Sequence, residues 1–525
     1  MKIVKAAGVA AHTTERITAP AGKSMAAPSA DAETGIGAKA IQGSVWMLAA
    51  AGGAKALGLG CQVALAWFLT KQEFGVYAIA MSLSVLLSVL RDGGLPMVLI
   101  EKGRRFDEFA GPVFWMMLAI NSATCLVIAA CAQPAARFYQ IPELAGVLVL
   151  CAINLPLCGL PAVLSMRLNV SMKFRELGLV QLASAITRYA LMLLFAAEGF
   201  GARSFILPFL ITNVTDSLIL WLVTRYSPWA MRPGFDSWPE LFRSGRWVLL
   251  GTFAIQMGYN GAFFLLGKFL PSDIVGTYFF AYQLVMQLEI LVAENAYLIL
   301  FAAFARMRDD PARIRAAVLR ALSAVVVAGS AASLSIAAVY DPLEFALWHG
   351  KWSVAADAIH VLALVWPIAA VVCVFRALQI SMGRFRQWAL VMSLSAAATL
   401  CGTALGAYAG GSAAGAATGY GVGLLLAVLY NGKLTLENLG IGAGDTARSV
   451  LRPWLIIAGA AACAQLATHA FNGAPLNLLA SALCFATVGF FGLKLLASDS
   501  FQLVARALGE ILREKIPQAA KSPGK

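Results

Sequence analysis

The sequence predicts an all-α polytopic membrane protein of about 14 transmembrane helices, built as two six-helix lobes related by a parallel repeat plus two C-terminal helices. Three observations carry this reading. Hydrophobic residues fill 60% of the 525 positions and charged residues 13%, with mean hydropathy +0.76. A soluble fold of this length has too little polar surface to cover so much apolar area. Apolar stretches of about 20 residues, each long enough to cross a bilayer, recur along almost the whole chain. Two segments 201 positions apart also match without a gap.

Residues 1–40 are rich in Ala, Thr and Pro and lack the apolar core of a signal peptide, so they read as a cytosolic N-terminal tail. Spans 1 to 6 follow at about 42–68, 75–98, 110–132, 143–165, 178–197 and 204–224, giving an N-lobe over 41–224. The polar segment 225–245, with Pro228, Pro233 and Pro239, reads as a cytosolic linker. Spans 7 to 12 fall at about 246–270, 274–303, 316–339, 354–377, 387–408 and 411–431, a C-lobe over 246–431. Spans 13 and 14, at about 450–469 and 476–497, occupy 450–497. In the cytosolic tail 498–525, Phe501, Val504, Leu508, Ile511 and Leu512 recur at helical spacing, with Arg506, Arg513 and Lys515 elsewhere. That pattern suits an amphipathic helix on the inner membrane face, with a solubilising tail as the alternative.

Charge tests the map independently. The loops after even-numbered spans, with the span ends beside them, hold together 21 Lys and Arg, and those after odd-numbered spans about five, among them Lys71, Arg137, Arg203, Lys268 and Lys351. The positive-inside rule then places both termini and the even loops in the cytosol. The net charge of +13 fits loops facing anionic membrane lipids and implies no nucleic acid. Nine cysteines form no C-x-x-C pair, and four scattered histidines show no metal spacing, so no cofactor or metal is expected.

The repeat superimposes Trp46 on Trp247, Phe68-Leu69 on Phe269-Leu270, Gly75 on Gly276 and Tyr77 on Tyr278. Six spans separate the copies, so both hairpins cross in the same direction, which makes the repeat parallel with its axis along the membrane normal. Coincidence between two ordinary apolar hairpins is the competing reading.

Ionisable groups at bilayer depth cost several kcal/mol unless paired or wetted, so each is a candidate site. Lys55 lies midway along span 1, Arg188 near the centre of span 5 and Asp216 near the centre of span 6. Arg91 and Asp92 come late in span 2, before Gly93-Gly94-Leu95-Pro96, which should break the helix. Lys55, Arg91 and Arg188 are the candidate substrate-binding cations, since a pyrophosphate group lets several cations share its charge. Asp216, Glu289 and Glu294 are the candidate ion-coupling acids, for a proton or a sodium ion. Glu289 and Glu294 stand roughly 140° apart round a helix, so at most one faces a given cavity. The alternatives are plainer: Lys55 or Arg188 paired with Asp216 as a structural lock, Arg91-Asp92 as a helix end, and Lys268 snorkelling from a span end.

The segment from Gly43 to Arg105 resembles the opening of bacterial polysaccharide transporters. These are the Wzx-type lipid-linked oligosaccharide flippases of the multidrug/oligosaccharidyl-lipid/polysaccharide exporter superfamily. The shared pattern is Gly43–Trp46, Phe68-Leu69, Glu73–Tyr77, and Asp92 followed by Gly94-Leu95. The resemblance implies two six-helix bundles around a cavity that opens alternately to the two sides of the bacterial inner membrane. It implies outward movement of undecaprenyl-pyrophosphate-linked sugar repeat units for exopolysaccharide, capsule or O-antigen (lipopolysaccharide) assembly. It further implies a polysaccharide polymerase and a chain-length regulator as partners. A multidrug exporter of the same superfamily is the nearest rival, although span 1 offers Lys55 where cationic drugs would want an acid. A membrane-embedded polymerase or ligase would need a substantial catalytic loop. The longest candidate, 340–353 with Asp341, Glu344 and His349, is short and has no nucleophile arrangement. An assembly scaffold is the third alternative.

Overall fold

The computed structural model describes residues 50–92, 106–235, 238–468, 474–499 and 502. The side chains of 87–92, 239–252, 288–291 and 474 also lie outside the described set. The described residues form fourteen α-helices and no strand: α1 (50–68), α2 (Lys71–Asp92), α3 (Phe106–Tyr139), α4 (Glu143–Val170), α5 (Phe174–Ala197), α6 (Leu207–Thr224), α7 (Trp238–Phe269), α8 (Ser272–Arg306), α9 (Pro311–Trp348), α10 (Ala356–Ser381), α11 (Phe385–Gly410), α12 (Ala413–Leu436), α13 (Ala443–Ala467) and α14 (Ala474–Leu496). Each coincides with one predicted span. Eleven are long and apolar enough to cross a bilayer by themselves. The other three, α1, α2 and α7, run into residues or side chains outside the described set.

Local sequence explains several ends. Thr70 and Glu73 form a capping box at the start of α2: the Thr70 hydroxyl accepts from the Glu73 N–H (3.3 Å), and the Glu73 carboxylate accepts from the Thr70 N–H (2.7 Å). Helix α7 begins at Trp238, within the 225–245 segment, with Pro239 in its first turn, where a missing N–H leaves no bond unmade. The largest departure from the span map is α9. It continues to Trp348 with Pro342 inside it, so most of the presumed 340–353 loop is helix. His349, at φ 51°, closes it in the left-handed conformation.

Helices α3–α6 pack mainly on one another and on α2, and α7–α12 mainly on one another, while α13 and α14 lean on α9. The two groups meet chiefly through α2 against α7 and α8. That seam brings the two copies of the repeat face to face. A Cβ at Gly75 would collide with the Ser272 carbonyl, and a Cβ at Gly276 would collide with the Lys71 carbonyl. Ser272 is Lys71 shifted by 201, so the contact is reciprocal. Around it Leu65, Leu266, Tyr77 and Tyr278 are buried, and Phe205 stacks on Tyr77 at 4.1 Å. The glycine-rich 401–424 stretch follows the same logic. Gly402 and Gly406 on α11 lie against Gly415, Gly419 and Gly423 on α12, and a Cβ at any of them would strike backbone. Small residues at four-residue spacing let two helices approach closely where no hydrophobic effect operates between them.

Candidate functional site

The turns at 69–70, 140–142, 198–206, 270–271, 349–355 and 411–412 share one end of the bundle, here the odd-loop end. The turns after even-numbered helices share the other. Among the described residues, a set of hydrogen bonds joins α1–α6 to α7–α12 and their turns at the odd-loop end.

The densest group of these bonds closes the C-terminal end of α1. The last carbonyls of a helix have no intrahelical donor and carry the negative end of its dipole. The Lys351 ammonium reaches across from the turn after α9 and donates to the carbonyls of Ala66 (3.0 Å), Trp67 (3.0 Å) and Leu69 (2.7 Å). Its three protons thus meet three acceptors. Trp352 Nε1 donates to the Ala66 carbonyl (2.9 Å), Trp348 Nε1 to the Val63 carbonyl (3.1 Å), and Trp67 Nε1 back to the Leu347 carbonyl (2.5 Å). Desolvation pulls the Lys351 pKa below the ordinary lysine value; Lys71 adds to this and Glu73 opposes it. The turn itself is rigid. Glu344, buried, accepts from the Trp352 N–H (2.8 Å), and Tyr340 donates to the Trp352 carbonyl (3.0 Å). Trp352 is fully buried, stacked on Phe280 at 4.2 Å with Phe74 edge-on at 5.1 Å.

The predicted site residues fall into separate places. Arg188 on α5 donates to the Ser184 hydroxyl (3.1 Å), which donates to Asp216 on α6 (2.7 Å). Arg188 also lies 3.4 Å from the Thr212 hydroxyl and 4.6 Å over the Phe209 ring. Arg188 and Asp216 are therefore joined, but through Ser184 rather than directly. Asn213 on α6 adds a bond to Asn154 on α4 (2.8 Å), making a polar strip between α4, α5 and α6. Lys55 on α1 is half-buried and has no hydrogen bond or ion pair among the described residues. Arg91 sits in the last turn of α2 and Glu289 within α8, with side chains outside the described residues. Lys268 ends α7 exposed, its ammonium 4.3 Å over Phe138, as a snorkelling lysine should.

Glu294 on α8 has a partner that the sequence did not single out. Its carboxylate lies 3.2 Å from the Arg376 guanidinium on α10, which also stacks 4.0 Å over the Tyr297 ring. Both residues line a cavity of about 250 Å³ between α7, α8, α10, α11 and α12, with Tyr259, Trp366 and Tyr420 among its walls. On the span map, which ends span 10 at about 377, Arg376 falls at the last residues of the span and is not singled out. In the structure α10 runs on to Ser381, which places Arg376 inside the helix. One turn further, Gln379 donates to Asn431 (2.9 Å) and Thr435 (2.7 Å), holding α10 to α12 beneath the pair. The molecule thus has a sealed end and, towards the other, a cavity whose mobile charges are only partly buried. Such a layout suits the holding and release of an anion rather than covalent chemistry.

The family described as "Polysaccharide biosynthesis protein" matches residues 64–357. The lipopolysaccharide biosynthesis protein WzxC of Escherichia coli K12 is 20% identical over 339 residues, 63% of this chain and 68% of that protein. The succinoglycan biosynthesis transport protein ExoT of Rhizobium meliloti 1021 is 24% identical over 309 residues, 57% of this chain and 60% of that protein. In fold, the lipid II flippase MurJ in an inward closed conformation superimposes with TM-score 0.69 at 12% identity, over 86% of this chain and 99% of that one. An inward-facing multidrug resistance MATE family transporter of the MOP superfamily gives TM-score 0.56 at 13% identity, over 74% of this chain and 94% of that one. These are transporters and a flippase, not enzymes.

Proposed function

Because the chain belongs to the polysaccharide biosynthesis protein family and is a multi-pass membrane protein, we propose that it flips undecaprenyl-pyrophosphate-linked oligosaccharide repeat units outward across the bacterial inner membrane by alternating access. In this reading α1–α6 and α7–α12 are two lobes related by a parallel repeat, 225–245 links them, and α13–α14 are an addition. The charge distribution among the loops puts the even-loop end and both termini in the cytosol, and the odd-loop end outside. The observation that carries the reading is the bonded odd-loop end. Lys351 and Trp352 tie the two groups of helices together there, while the Glu294–Arg376 pair, towards the other end, is only partly buried. That arrangement fits a carrier closed to the outside and able to load from the cytosol.

Lys55, Arg91 and Arg188 are assigned to the pyrophosphate, each able to share its charge. Arg188 meets Ser184 and not Asp216 directly, so its guanidinium can take a phosphate oxygen without first breaking an ion pair. Asp216, Glu289 and Glu294 are the acids assigned to coupling with a proton or sodium gradient. A carboxylate freed from its cation gains a proton or metal ion more readily than one held in a pair. The test is the leaflet in which substrate accumulates. Depleting the protein should trap lipid-linked repeat units on the cytosolic leaflet. If they still reach the periplasm and only polymer length changes, the protein is a chain-length factor or scaffold instead.

A further inference from the structure

We infer that Arg376 is a pyrophosphate-binding residue of the second lobe, and that Glu294 is its resident counter-ion, displaced when substrate enters; the assignment rests on the flippase reading above. The Glu294–Arg376 contact differs from the other ion pairs among the described residues. Arg167–Asp107 and Arg315–Asp445 lie by the even loops and His360–Asp341 by the odd-loop end, whereas Arg376 and Glu294 line an internal cavity.

The guanidinium is prepared for a second partner. Tyr297 fixes one face of it at 4.0 Å, and the Gln379–Asn431–Thr435 network anchors the helix one turn on. A stacked guanidinium keeps its fork of donors in the plane of the ring, free at the edge for a bidentate oxyanion. Yet Glu294 meets it through only one nitrogen, Nη1 at 3.2 Å, while the Nε–H is buried without a partner. No protein group among the described residues satisfies that donor, so the pair with Glu294 does not use the full fork. The Glu294 side chain is 51% exposed against 28% for Arg376, so the acid can swing out while the cation stays.

The surroundings indicate which anion. Arg376 lies five residues before α10 ends at Ser381, and the exposed Arg384 and Arg386 follow in the next turn and helix. These cations line the approach from the end assigned to the cytosol, where the pyrophosphate headgroup of a lipid-linked sugar would arrive. Beyond Arg376 the cavity walls are apolar and aromatic, with Tyr259, Trp366 and Tyr420, and Thr399 as a hydroxyl. A volume of about 250 Å³ accommodates a pyrophosphate and an adjoining sugar face but not a whole repeat unit.

The experiment uses the purified full-length protein, with inorganic pyrophosphate and farnesyl pyrophosphate as probes, followed by titration calorimetry. Arg376→Gln should weaken binding by about tenfold or more, and Glu294→Gln should tighten it, since the competing carboxylate is gone. The double variant should behave like Arg376→Gln. Should Arg376→Gln fail to fold, Glu294→Gln keeps the guanidinium and decides alone. If both single variants bind as wild type does, or if Glu294→Gln weakens binding as Arg376→Gln does, the pair is structural and the assignment falls, while the flippase reading stands. If wild type binds neither probe, both fall together.

Discussion

The odd-loop and even-loop ends of this bundle are built from the same helices and differ in what their charges meet. At the odd-loop end Lys351 is held by three main-chain carbonyls and flanked by buried Trp348 and Trp352. Towards the even-loop end Arg376 meets one half-exposed carboxylate and has a donor to spare. A cation satisfied by backbone has no alternative partner nearby and acts as a bolt. A cation paired with a movable side chain can change partners. The difference teaches where this molecule stores stability and where it stores reactivity.

Substitutions can break that contrast, and their expected sizes follow from burial. Trp352→Ala removes a fully buried ring and its bond to Ala66, and should lower thermal stability most, by about 4 kcal/mol. Gly75→Val forces a branched side chain against the Ser272 carbonyl, so the seam must part, at about 3 kcal/mol. Both are read by thermal unfolding in detergent, and a loss below about 1 kcal/mol in either would mean the seam is not tightly closed. Lys351→Met keeps the aliphatic stem but removes the donor to the carbonyls of Ala66, Trp67 and Leu69, for about 2 kcal/mol. It should also speed thiol labelling of a cysteine placed at Leu347, because the closed state is weakened. Glu294→Gln should sit at the other extreme, shifting stability by less than about 1 kcal/mol, since a half-exposed pair contributes little. Unlike the first three, it should nonetheless alter transport. A Glu294→Gln protein with reduced stability and ordinary transport would erase the contrast.

The helices were legible in the sequence because the bilayer dictates both the length and the apolarity of each. All fourteen predicted spans have a helix among the described residues, and the Gly75/Gly276 match was visible as a repeat, although not as a contact. What stayed hidden has physical reasons. Lys351 looked like one loop cation among several, because its partners are carbonyls, which every residue carries and no sequence pattern records. Arg376 was passed over because it sits at the predicted end of span 10, where a guanidinium reads as an ordinary interfacial cation; its helix runs on to Ser381. The Ser184 bridge was hidden because Arg188 and Asp216 invite a direct pair, and only the geometry of α5 against α6 interposes a hydroxyl.

The central claim is that the odd-loop seam must open for substrate to cross. Trp67 and Leu347 touch across that seam, so Trp67→Cys and Leu347→Cys can be joined by a cleavable bifunctional thiol reagent, with each single variant as control. The measurement is the arrival of lipid-linked repeat units at the outer leaflet, before cross-linking, after it, and after reductive cleavage. Arrival should stop on cross-linking and resume on cleavage in the double variant alone. Undiminished arrival in fully cross-linked protein would contradict the account.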